Sequence, residues 1–387
     1  MKTPRVALLV ETSNAYARGL LSGIAEYIQQ HGSWSIYLPE SRRADAMDGR
    51  LRGWKGDGII VRAEDPRTAR AALSCGCPIV DLSAAGLLPQ VPAVHSDVRA
   101  EAATAFDHLW ERGFRNLGFC GVSNYHWVRW QLEQFRKLAG KAGIQIAQYV
   151  KPFRLTRARG WADDRRALAS WLRQLPKPVG IFACYDLRGQ QVLDACRFAG
   201  LGVPDDVAVL GVDNDVVRCS LSDPPLSSVA PNTTRVGFLA AELLSQLMGG
   251  TKIASGLRLV PPIGVIARKS TDALSIGDPD VAAALHFIRE NCCSPIGVEQ
   301  VLARISLSRR TLESRFMRLL GRTPHSEILR CRVERAKQLL SDTDLPIKTL
   351  ARRVGVCTPE YLSVLFKRTL GTTPSAYRAQ YQSIRQT

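Results

Sequence analysis

One helical pattern occurs twice near the end of the chain, and this duplication constrains the fold more than any other feature. The first copy runs from Val298 to Pro324 and the second from Ile347 to Pro374. Corresponding apolar positions of the two copies are 49 residues apart before the turn and 50 residues apart after it. The second copy therefore has one additional residue, and it lies at the turn. Self-similarity at a fixed spacing indicates a duplicated supersecondary unit.

Each copy predicts two helices joined by a tight turn. Apolar residues spaced by three and four place Val298, Val301 and Ile305 on one face of the first helix. Ser308 is a good N-cap for the second helix, as is Thr358 in the second copy. This is the order of a helix-turn-helix, whose second helix enters the major groove of DNA. Two helical hairpins that only pack together are the alternative, and the arginines and lysines on the polar faces of both copies disfavour it.

The second copy resembles the DNA-binding domain of the AraC/XylS family of transcription regulators. The residues that carry the resemblance are Gly355, Tyr361, Leu362, Ser363, Phe366, Lys367, Gly371, Pro374, Tyr377 and Arg378. Leu362 stands where that family usually has phenylalanine. In the family, a long helix joins the two helix-turn-helix motifs, and the resemblance implies double-stranded DNA as a partner.

The polar positions of both motifs supply the candidate DNA contacts. Arginine is favoured at guanine and glutamate at cytosine, whereas contacts to phosphates position the protein without specifying a sequence. Candidates for base or backbone contact are Ser308, Arg309, Arg310, Glu313, Ser314, Thr358, Glu360, Tyr361 and Ser363. Candidates for phosphate contact are Arg318, Lys367 and Arg368.

The chain is strongly basic. Its 387 residues contain 52 Lys and Arg against 35 Asp and Glu, which gives a formal net charge of +17 and a pI near 9.8. A basic excess of this size favours a polyanionic partner, either nucleic acid or an anionic membrane. No apolar run approaches the roughly 18 residues of a membrane helix, so no membrane association is expected.

The ten cysteines predict neither disulfides nor a metal site. Cys75 and Cys77, and the adjacent Cys292 and Cys293, lack the spacing of zinc ligands. Scattered cysteines in apolar surroundings are typical of reduced thiols, which favours a cytoplasmic protein. Neither a dinucleotide-binding nor a phosphate-binding glycine loop occurs, so no cofactor is predicted. Since no motif with catalytic spacing occurs either, an enzyme is not expected.

Strands and helices alternate from Val6 to Val212, which predicts an α/β fold with parallel sheets and right-handed crossovers. A second series of strands and helices begins at Asn116, so we expect two lobes with a ligand-binding cleft between them. The predicted sensor domain is 1–270, with one lobe at about 1–113 and 231–258 and the other at about 114–230. The predicted DNA-binding domain is 271–387.

Polar and aromatic residues follow the strands of both lobes. The loops concerned are 11–18, 81–85, 121–129, 185–188 and 213–215. Carboxylates, amides and guanidinium groups bond sugar hydroxyls, and aromatic faces cover the C–H surfaces, so these loops suit a sugar. The alternatives remain open: Asp81, Asp186 and Asp213 can cap helices, and Trp127 and Trp161 can pack in the core.

This part of the chain resembles the effector domain of the LacI/GalR family, which has the type I periplasmic-binding-protein fold. The stretches that carry the resemblance include Asn14–Ile24, Gly202–Asn214 and Pro225–Val229. The resemblance implies ligand contacts at Tyr16, Arg18, Trp127, Trp161, Asp186, Asp213 and Asn214, and the loop pattern adds Asp81. That family usually carries arginine where this chain has Gln131, so either Arg129 substitutes for it or the sugar specificity differs.

A sensor of this kind followed by an AraC-type domain resembles the arrangement of the xylose-operon regulators, and the stretch Val260–Asp272 supports the combination. The sequence therefore predicts a sugar-responsive transcription regulator, with D-xylose or a related pentose as effector, that acts as a homodimer. RNA polymerase is a further candidate partner. One alternative is a DNA-binding regulator whose sensor binds another metabolite or serves mainly for dimerisation, and another is an α/β enzyme with a DNA-binding appendage. Activation and repression both stay open.

Overall fold

The computed structural model describes residues 3–39, 51, 53–123, 125–152, 160–272, 278–343 and 345–385. The first strands and helices are β1 Arg5–Leu9, α1 Ala15–His31, β2 Ser35–Tyr37, β3 Gly58–Val61, α2 Pro66–Leu73, β4 Ile79–Asp81 and β5 Ala93–Ser96. Together with β11 Leu257–Val260, these strands form a parallel sheet in the order β11-β5-β4-β3-β1-β2. Strands β1 and β3 are almost wholly buried because α1 and α2 contribute to the two cores that cover the sheet.

A second sheet belongs to the next stretch of chain. Its elements are α3 Val98–Glu111, β6 Asn116–Val122, α4 His126–Lys141, β7 Ala147–Lys151, α5 Gly160–Gln174, β8 Val179–Ala183, α6 Asp186–Ala199, β9 Val207–Val212, α7 Val216–Leu221 and β10 Ser227–Ala230. The strand order is β12-β10-β9-β8-β6-β7, where β12 is Gly264–Ile266. Every pairing in this sheet is parallel except that of β12 with β10.

The chain crosses from the first lobe to the second earlier than the sequence suggested. Helix α3 buries Ala102, Phe106 and Leu109 in the same core as Phe119 and Phe135 of the second lobe. The crossing therefore lies at residue 97 and not near residue 113. The chain also returns to the second sheet through β12, beyond the predicted end of that lobe at 230.

Helices α1 and α8 (Thr233–Met248) pack backbone to backbone in the first lobe. A Cβ atom added to Gly237 would lie 1.9 Å from the carbonyl oxygen of Leu20, and one added to Gly23 would lie 1.9 Å from that of Thr234. Only glycine permits this approach. At the beginning of α1, Asn14 caps the helix by accepting a hydrogen bond from the backbone amide of Ala17.

The last part of the described chain is helical. Its helices are α9 Pro279–Asn291, α10 Val298–Leu302, α11 Arg309–Leu320, α12 Pro324–Asp342, α13 Ile347–Arg353, α14 Pro359–Leu370 and α15 Pro374–Arg385. The duplicated pattern forms two helix-turn-helix units, α10–α11 and α13–α14, with α12 between them. Ser308 and Thr358 cap α11 and α14 as predicted, and each accepts a backbone hydrogen bond of 3.2 Å. Gly321 and Gly371 end these helices with φ of 69° and 70°.

Each helix-turn-helix has its own core, and both cores use α12. Leu312 and Phe316 pack with Ile328 in the first core. Leu362 and Phe366 pack with Val333 in the second, which also includes Ala230 and Ile266 of the second sheet. The helical domain is therefore docked on the sensor through the apolar side of α12. Among the described residues, no helix is both long and apolar enough to cross a membrane.

Candidate effector pocket and DNA-binding surface

A pocket lies between the two lobes, at the carboxyl ends of the strands. It contains about 400 Å³ of space free of protein atoms, including the part open to solvent. The described residues that line it are Tyr16, Arg62, Leu82, Ala84, His95, Ser96, Val98, Glu101, Trp127, Gln131, Cys184, Val212 and Asp213. Three of the residues predicted to contact the ligand are therefore brought together here: Tyr16, Trp127 and Asp213.

The first lobe contributes a buried arginine and a tyrosine. Arg62 follows β3 and pairs with Glu11 and with Glu64, the latter at 3.1 Å. Its guanidinium lies 5.0 Å from the ring centre of Tyr16, whose hydroxyl donates a hydrogen bond of 3.1 Å to Ser96. Burial raises the pKa of Tyr16 to about 12, so the hydroxyl keeps its proton at neutral pH and can bond a ligand oxygen.

The second lobe contributes Glu101, Gln131 and Asp213. The Gln131 amide nitrogen donates a weak hydrogen bond of 3.5 Å to Glu101. The Gln131 amide oxygen is buried and has no hydrogen-bond partner among the described residues, so it is an acceptor without a donor. Because an unsatisfied buried acceptor costs roughly 1–3 kcal/mol, a ligand hydroxyl placed there gains a hydrogen bond that the protein lacks.

Glu101 has an unusual charge state. Burial raises the pKa of Glu101 to about 8, and the negative charge of the nearby Asp213 accounts for a smaller part of this rise. The protonated Glu101 can then donate a hydrogen bond while Asp213 accepts one. Neighbouring carboxyl groups with different protonation states can thus bond both the lone pairs and the protons of a polyol.

The raised pKa of Glu101 predicts a pH-dependent cost to stability. Between its unfolded pKa near 4.5 and its folded pKa near 8, the folded protein holds a proton that the unfolded chain releases. The free energy of unfolding therefore falls as pH rises through this window. We expect Glu101→Gln, which stays neutral, to exceed the wild type in stability by on the order of 2 kcal/mol at pH 8. Urea unfolding at pH 5 and pH 8 checks this, and an equal difference at both pH values would contradict it.

The loop after β9 has a strained backbone. Asp213 and Asn214 have φ of 102° and 48°, a region that residues other than glycine seldom occupy and that aspartate and asparagine tolerate best. Such strain persists where the surroundings hold it, often at functional sites. Two hydrogen bonds hold Asn214. Its backbone amide donates to the Ser228 hydroxyl at 3.0 Å, and its side-chain oxygen accepts from Arg268 at 2.8 Å.

Several predicted contacts do not line the pocket. Arg129 has a side chain 82% exposed and pairs with Glu133, so it does not substitute for an arginine at the position of Gln131. Arg18 donates to the Thr12 carbonyl oxygen at 3.2 Å. The structure describes only the backbone of Trp161, which lies in α5, so the predicted contact of its side chain lies outside the described residues.

Two predicted aspartates support loops beside the pocket. Asp81 accepts hydrogen bonds from the backbone amides of Ala63 and Ser83. Asp186 accepts from the Asp215 amide at 2.7 Å and from the Ser228 hydroxyl at 2.6 Å. Both side chains are buried, and these bonds hold the polypeptide after β3, β4 and β9 in place. Asp186 thereby supports the loop that carries Asp213.

Sequence reasoning missed Arg62, His95, Ser96, Glu101 and Gln131 as pocket residues. Arg62 and Ser96 carry a signal, since each comes at the end of an apolar strand. Glu101 carries none, because a carboxylate within an amphipathic helix normally indicates a solvated face. The described residues contain no group of three or more His, Cys, Asp or Glu side chains arranged to hold a metal ion.

The predicted DNA contacts lie on α11 and α14 and at their beginnings. Arg310, Ser314 and Arg318 line one open recess on α11. Arg309 forms ion pairs with Glu299 at 2.9 Å and Glu313 at 3.1 Å. The exposed residues of the predicted set are Ser308, Arg309, Arg310, Ser314, Arg318, Thr358, Glu360, Tyr361, Lys367 and Arg368, while Glu313 and Ser363 are half-buried.

Val364 is an exposed apolar residue that the sequence analysis missed. It lies on α14 with 57% of its surface exposed, beside Tyr361 at 43%. An apolar side chain on a recognition helix can contact the methyl group of thymine. The connecting helix α12 has 19 residues and is therefore about 28 Å long, close to the roughly 34 Å between successive major grooves on one side of a duplex.

Three family models match the sequence, and their matches follow the parts of the fold. A XylR N-terminal domain matches residues 5–97, a periplasmic binding protein-like domain matches 106–271, and a helix-turn-helix domain matches 301–380. The xylose operon regulatory protein of Escherichia coli strain K12 is 34% identical over 385 residues, or 97% of each chain. The chain belongs to the family of xylose operon regulatory proteins.

Other members and relatives agree with this assignment. The xylose operon regulatory protein of Haemophilus influenzae is 32% identical over 384 residues, which are 97% of this chain and 98% of that one. A solved structure described as the xylose-binding transcription activator XylR is 33% identical, with a TM-score of 0.64 over 98% of both chains. The lac repressor dimer bound to operator, at 17% identity and a TM-score of 0.57, shares the fold of the sensor part.

Membership in this family confirms the main predictions. The protein is a DNA-binding transcription regulator and not an enzyme. Its fold is a two-lobed, periplasmic-binding-protein-like α/β domain followed by a helical domain with two helix-turn-helix motifs, as predicted.

Proposed function

We propose that this regulator binds D-xylose in the pocket between the lobes and activates genes for sugar utilisation in response. The polar lining of the pocket carries the proposal: a buried amide oxygen without a donor, a protonated carboxyl, a carboxylate, a tyrosine hydroxyl and the Trp127 ring surround it. Those groups match the hydroxyls and the C–H face of a pentose. The names of the related regulators specify xylose among the sugars.

The proposed mechanism uses pocket residues from both lobes. Tyr16 and Arg62 belong to the first lobe, whereas Gln131 and Asp213 belong to the second, so a bound sugar bridges the lobes and favours their closed arrangement. A ligand shifts such an equilibrium only by its difference in affinity for the two states. The helical domain is docked on Ala230 and Ile266 at the edge of the second sheet, so lobe closure changes how the DNA-binding surface is presented.

Two further parts of the proposal concern partners. The protein acts in the cytoplasm as a homodimer, which places two copies of the α11 and α14 surfaces on one DNA. Lac repressor, which shares the sensor fold, was solved as a dimer on its operator. Transcription is then activated through contact with RNA polymerase at the neighbouring promoter.

Selection of genomic DNA fragments on the immobilised protein, with and without D-xylose, tests this function. We expect fragments upstream of sugar-utilisation genes to be enriched, and D-xylose to change their affinity at least about fivefold, the lower end of allosteric couplings. L-Arabinose and D-glucose serve as matched controls. Enrichment that no sugar alters would contradict the proposed sensor function while leaving DNA regulation intact.

Arg310→Ala tests the DNA-binding surface separately. Arg310 is exposed on α11 and lines an open recess with Ser314 and Arg318, so its loss removes a base or phosphate contact. We expect affinity for the selected fragment to fall by about tenfold and D-xylose affinity to stay unchanged. Arg136→Ala, an exposed arginine of the sensor, is the matched control. Equal DNA affinity in wild type and Arg310→Ala would exclude α11 from the DNA contact.

A further inference from the structure

A second cavity lies where the sensor meets the helical domain. Its volume is about 880 Å³, including the part open to solvent. The sensor supplies Arg112, Ala267 and Asp272, and the remaining lining residues come from the end of α9, the residues after it and α12: Arg289, Glu290, Cys292, Cys293, Arg330, Cys331, Glu334 and Arg335. None of these residues lines the pocket between the lobes.

Arg112 is the buried cation of this cavity, with only 6% of its surface exposed. Its Nε donates to the Thr271 carbonyl oxygen at 3.0 Å, and its Nη1 bonds His108 Nδ1 at 3.0 Å and donates to the His108 carbonyl oxygen at 3.3 Å. All these acceptors are uncharged. Among the described residues, no carboxylate pairs with Arg112 and its Nη2 has no hydrogen-bond partner. A buried charge normally has a counter-charge.

Two other arginines of the cavity have carboxylate partners of their own. Arg330 is matched by Glu327 at 2.7 Å and Arg289 by Asp272 at 3.2 Å. Burial lowers the pKa of Arg112 to about 9; the positive charges of Arg330 and Arg289 add to this shift, and the carboxylates of Glu334 and Glu111 oppose it. Burial and the same charges also hold the pKa of His108 well below its usual range, so His108 is neutral. Four arginines and three carboxylates, Asp272, Glu290 and Glu334, line the cavity, so its lining is net positive.

We propose that this cavity binds a small oxyanion, the phosphate group of a phosphorylated metabolite or free phosphate, on Arg112 and Arg335. One guanidinium group can donate two parallel hydrogen bonds to the oxygens of a phosphate. The Nη2 atom of Arg112 is available for such a contact. Because Arg112 belongs to the sensor and Arg335 to the helical domain, the bound anion bridges the two. It thereby restricts their relative orientation and gives the regulator a second input that is independent of the sugar pocket.

Calorimetric titration of the full chain without DNA tests this site. The probes are inorganic phosphate and ribose 5-phosphate, each against sodium chloride at equal ionic strength. We expect saturable binding that weakens at least about tenfold in Arg112→Gln, since a charged hydrogen bond is worth roughly 1.5–3 kcal/mol. Tighter binding of ribose 5-phosphate would identify a phosphorylated metabolite, and equal affinities would identify free phosphate.

Two further variants keep the test decisive. Arg335 lies at the exposed side of the cavity, so Arg335→Gln removes a donor without disturbing the bonds of Arg112. We expect this variant to weaken binding, and it serves as the test if Arg112→Gln folds poorly. Arg115→Gln is the matched control, because Arg115 stacks on Trp110, with its guanidinium 3.7 Å from the ring centre, and does not line the cavity. Absence of saturable binding by both probes would overturn the proposal. So would unchanged affinity in folded Arg112→Gln and in Arg335→Gln.

Discussion

Glu327→Ala is expected to destabilise the DNA-binding domain by about 3–5 kcal/mol, the usual effect of removing one partner from a buried ion pair. Glu327 is fully buried in α12 and pairs with Arg322 at 2.6 Å and Arg330 at 2.7 Å. Its removal leaves two largely buried guanidinium groups without their carboxylate. Urea unfolding, followed by the loss of helical circular dichroism, measures the change.

The same carboxylate predicts an acid dependence. Burial alone would raise the pKa of Glu327, but the hydrogen bonds and charge of Arg330, together with Arg322, outweigh burial and lower it to about 2. The contribution of Glu327 to stability is therefore fully present above its unfolded pKa near 4.5 and is lost as pH falls towards 2. The difference between wild type and Glu327→Ala should shrink over that window.

Glu299→Ala is the matched control for Glu327→Ala. Glu299 also pairs with an arginine, Arg309, but both side chains are more than half exposed. Since solvent screens exposed pairs, this variant should change stability little. Equal effects of the two variants would mean that the Glu327 pairs contribute no more than a surface ion pair, and would contradict this account of α12.

Asp213→Asn is expected to weaken D-xylose binding by about 10- to 100-fold. The loss corresponds to a hydrogen bond made by a charged group, roughly 1.5–3 kcal/mol. Asparagine tolerates the backbone φ of 102° found at this position and preserves the shape of the side chain. The change therefore removes the charge without rearranging the loop, and calorimetry at pH 7 measures the affinity.

Arg129→Ala is the matched comparison for Asp213→Asn. The sequence predicted Asp213 as a ligand contact and offered Arg129 as a substitute for an arginine at the position of Gln131. The structure places only Asp213 in the pocket lining, and Arg129 lies on the surface beside Glu133. D-Xylose affinity should be unchanged in Arg129→Ala. A large loss in Arg129→Ala together with wild-type affinity in Asp213→Asn would mean that the sugar binds elsewhere.

The helical domain was largely predictable from its sequence because its signals are local. N-caps, terminal glycines and apolar spacing mark each helix of the duplicated unit without reference to the rest of the chain. The bounds of α11 and α14 follow directly from Ser308 and Gly321 and from Thr358 and Gly371. The recess formed by Arg310 and Arg318 follows from the same helical periodicity.

The pocket was only partly predictable because it depends on long-range packing. Tyr16, Trp127 and Asp213 follow apolar strands, and that local signal places each of them at the carboxyl end of a strand in one of the two sheets. Glu101 enters the pocket only because α3 packs on the second lobe, and an amphipathic pattern does not identify the partner of its buried face. The side of α4 that faces the cleft likewise decides between Gln131 and Arg129.

Calorimetric titration of the intact protein with D-xylose, then with L-arabinose, D-ribose, D-glucose and D-galactose, is the sharpest test of a xylose site between the lobes. We expect saturable binding of one D-xylose per chain, weaker or no binding of the other sugars, and D-xylose affinity about 10- to 100-fold lower in Asp213→Asn. No saturable heat with D-xylose, or equal affinity in wild type and Asp213→Asn, would contradict a xylose site between the lobes.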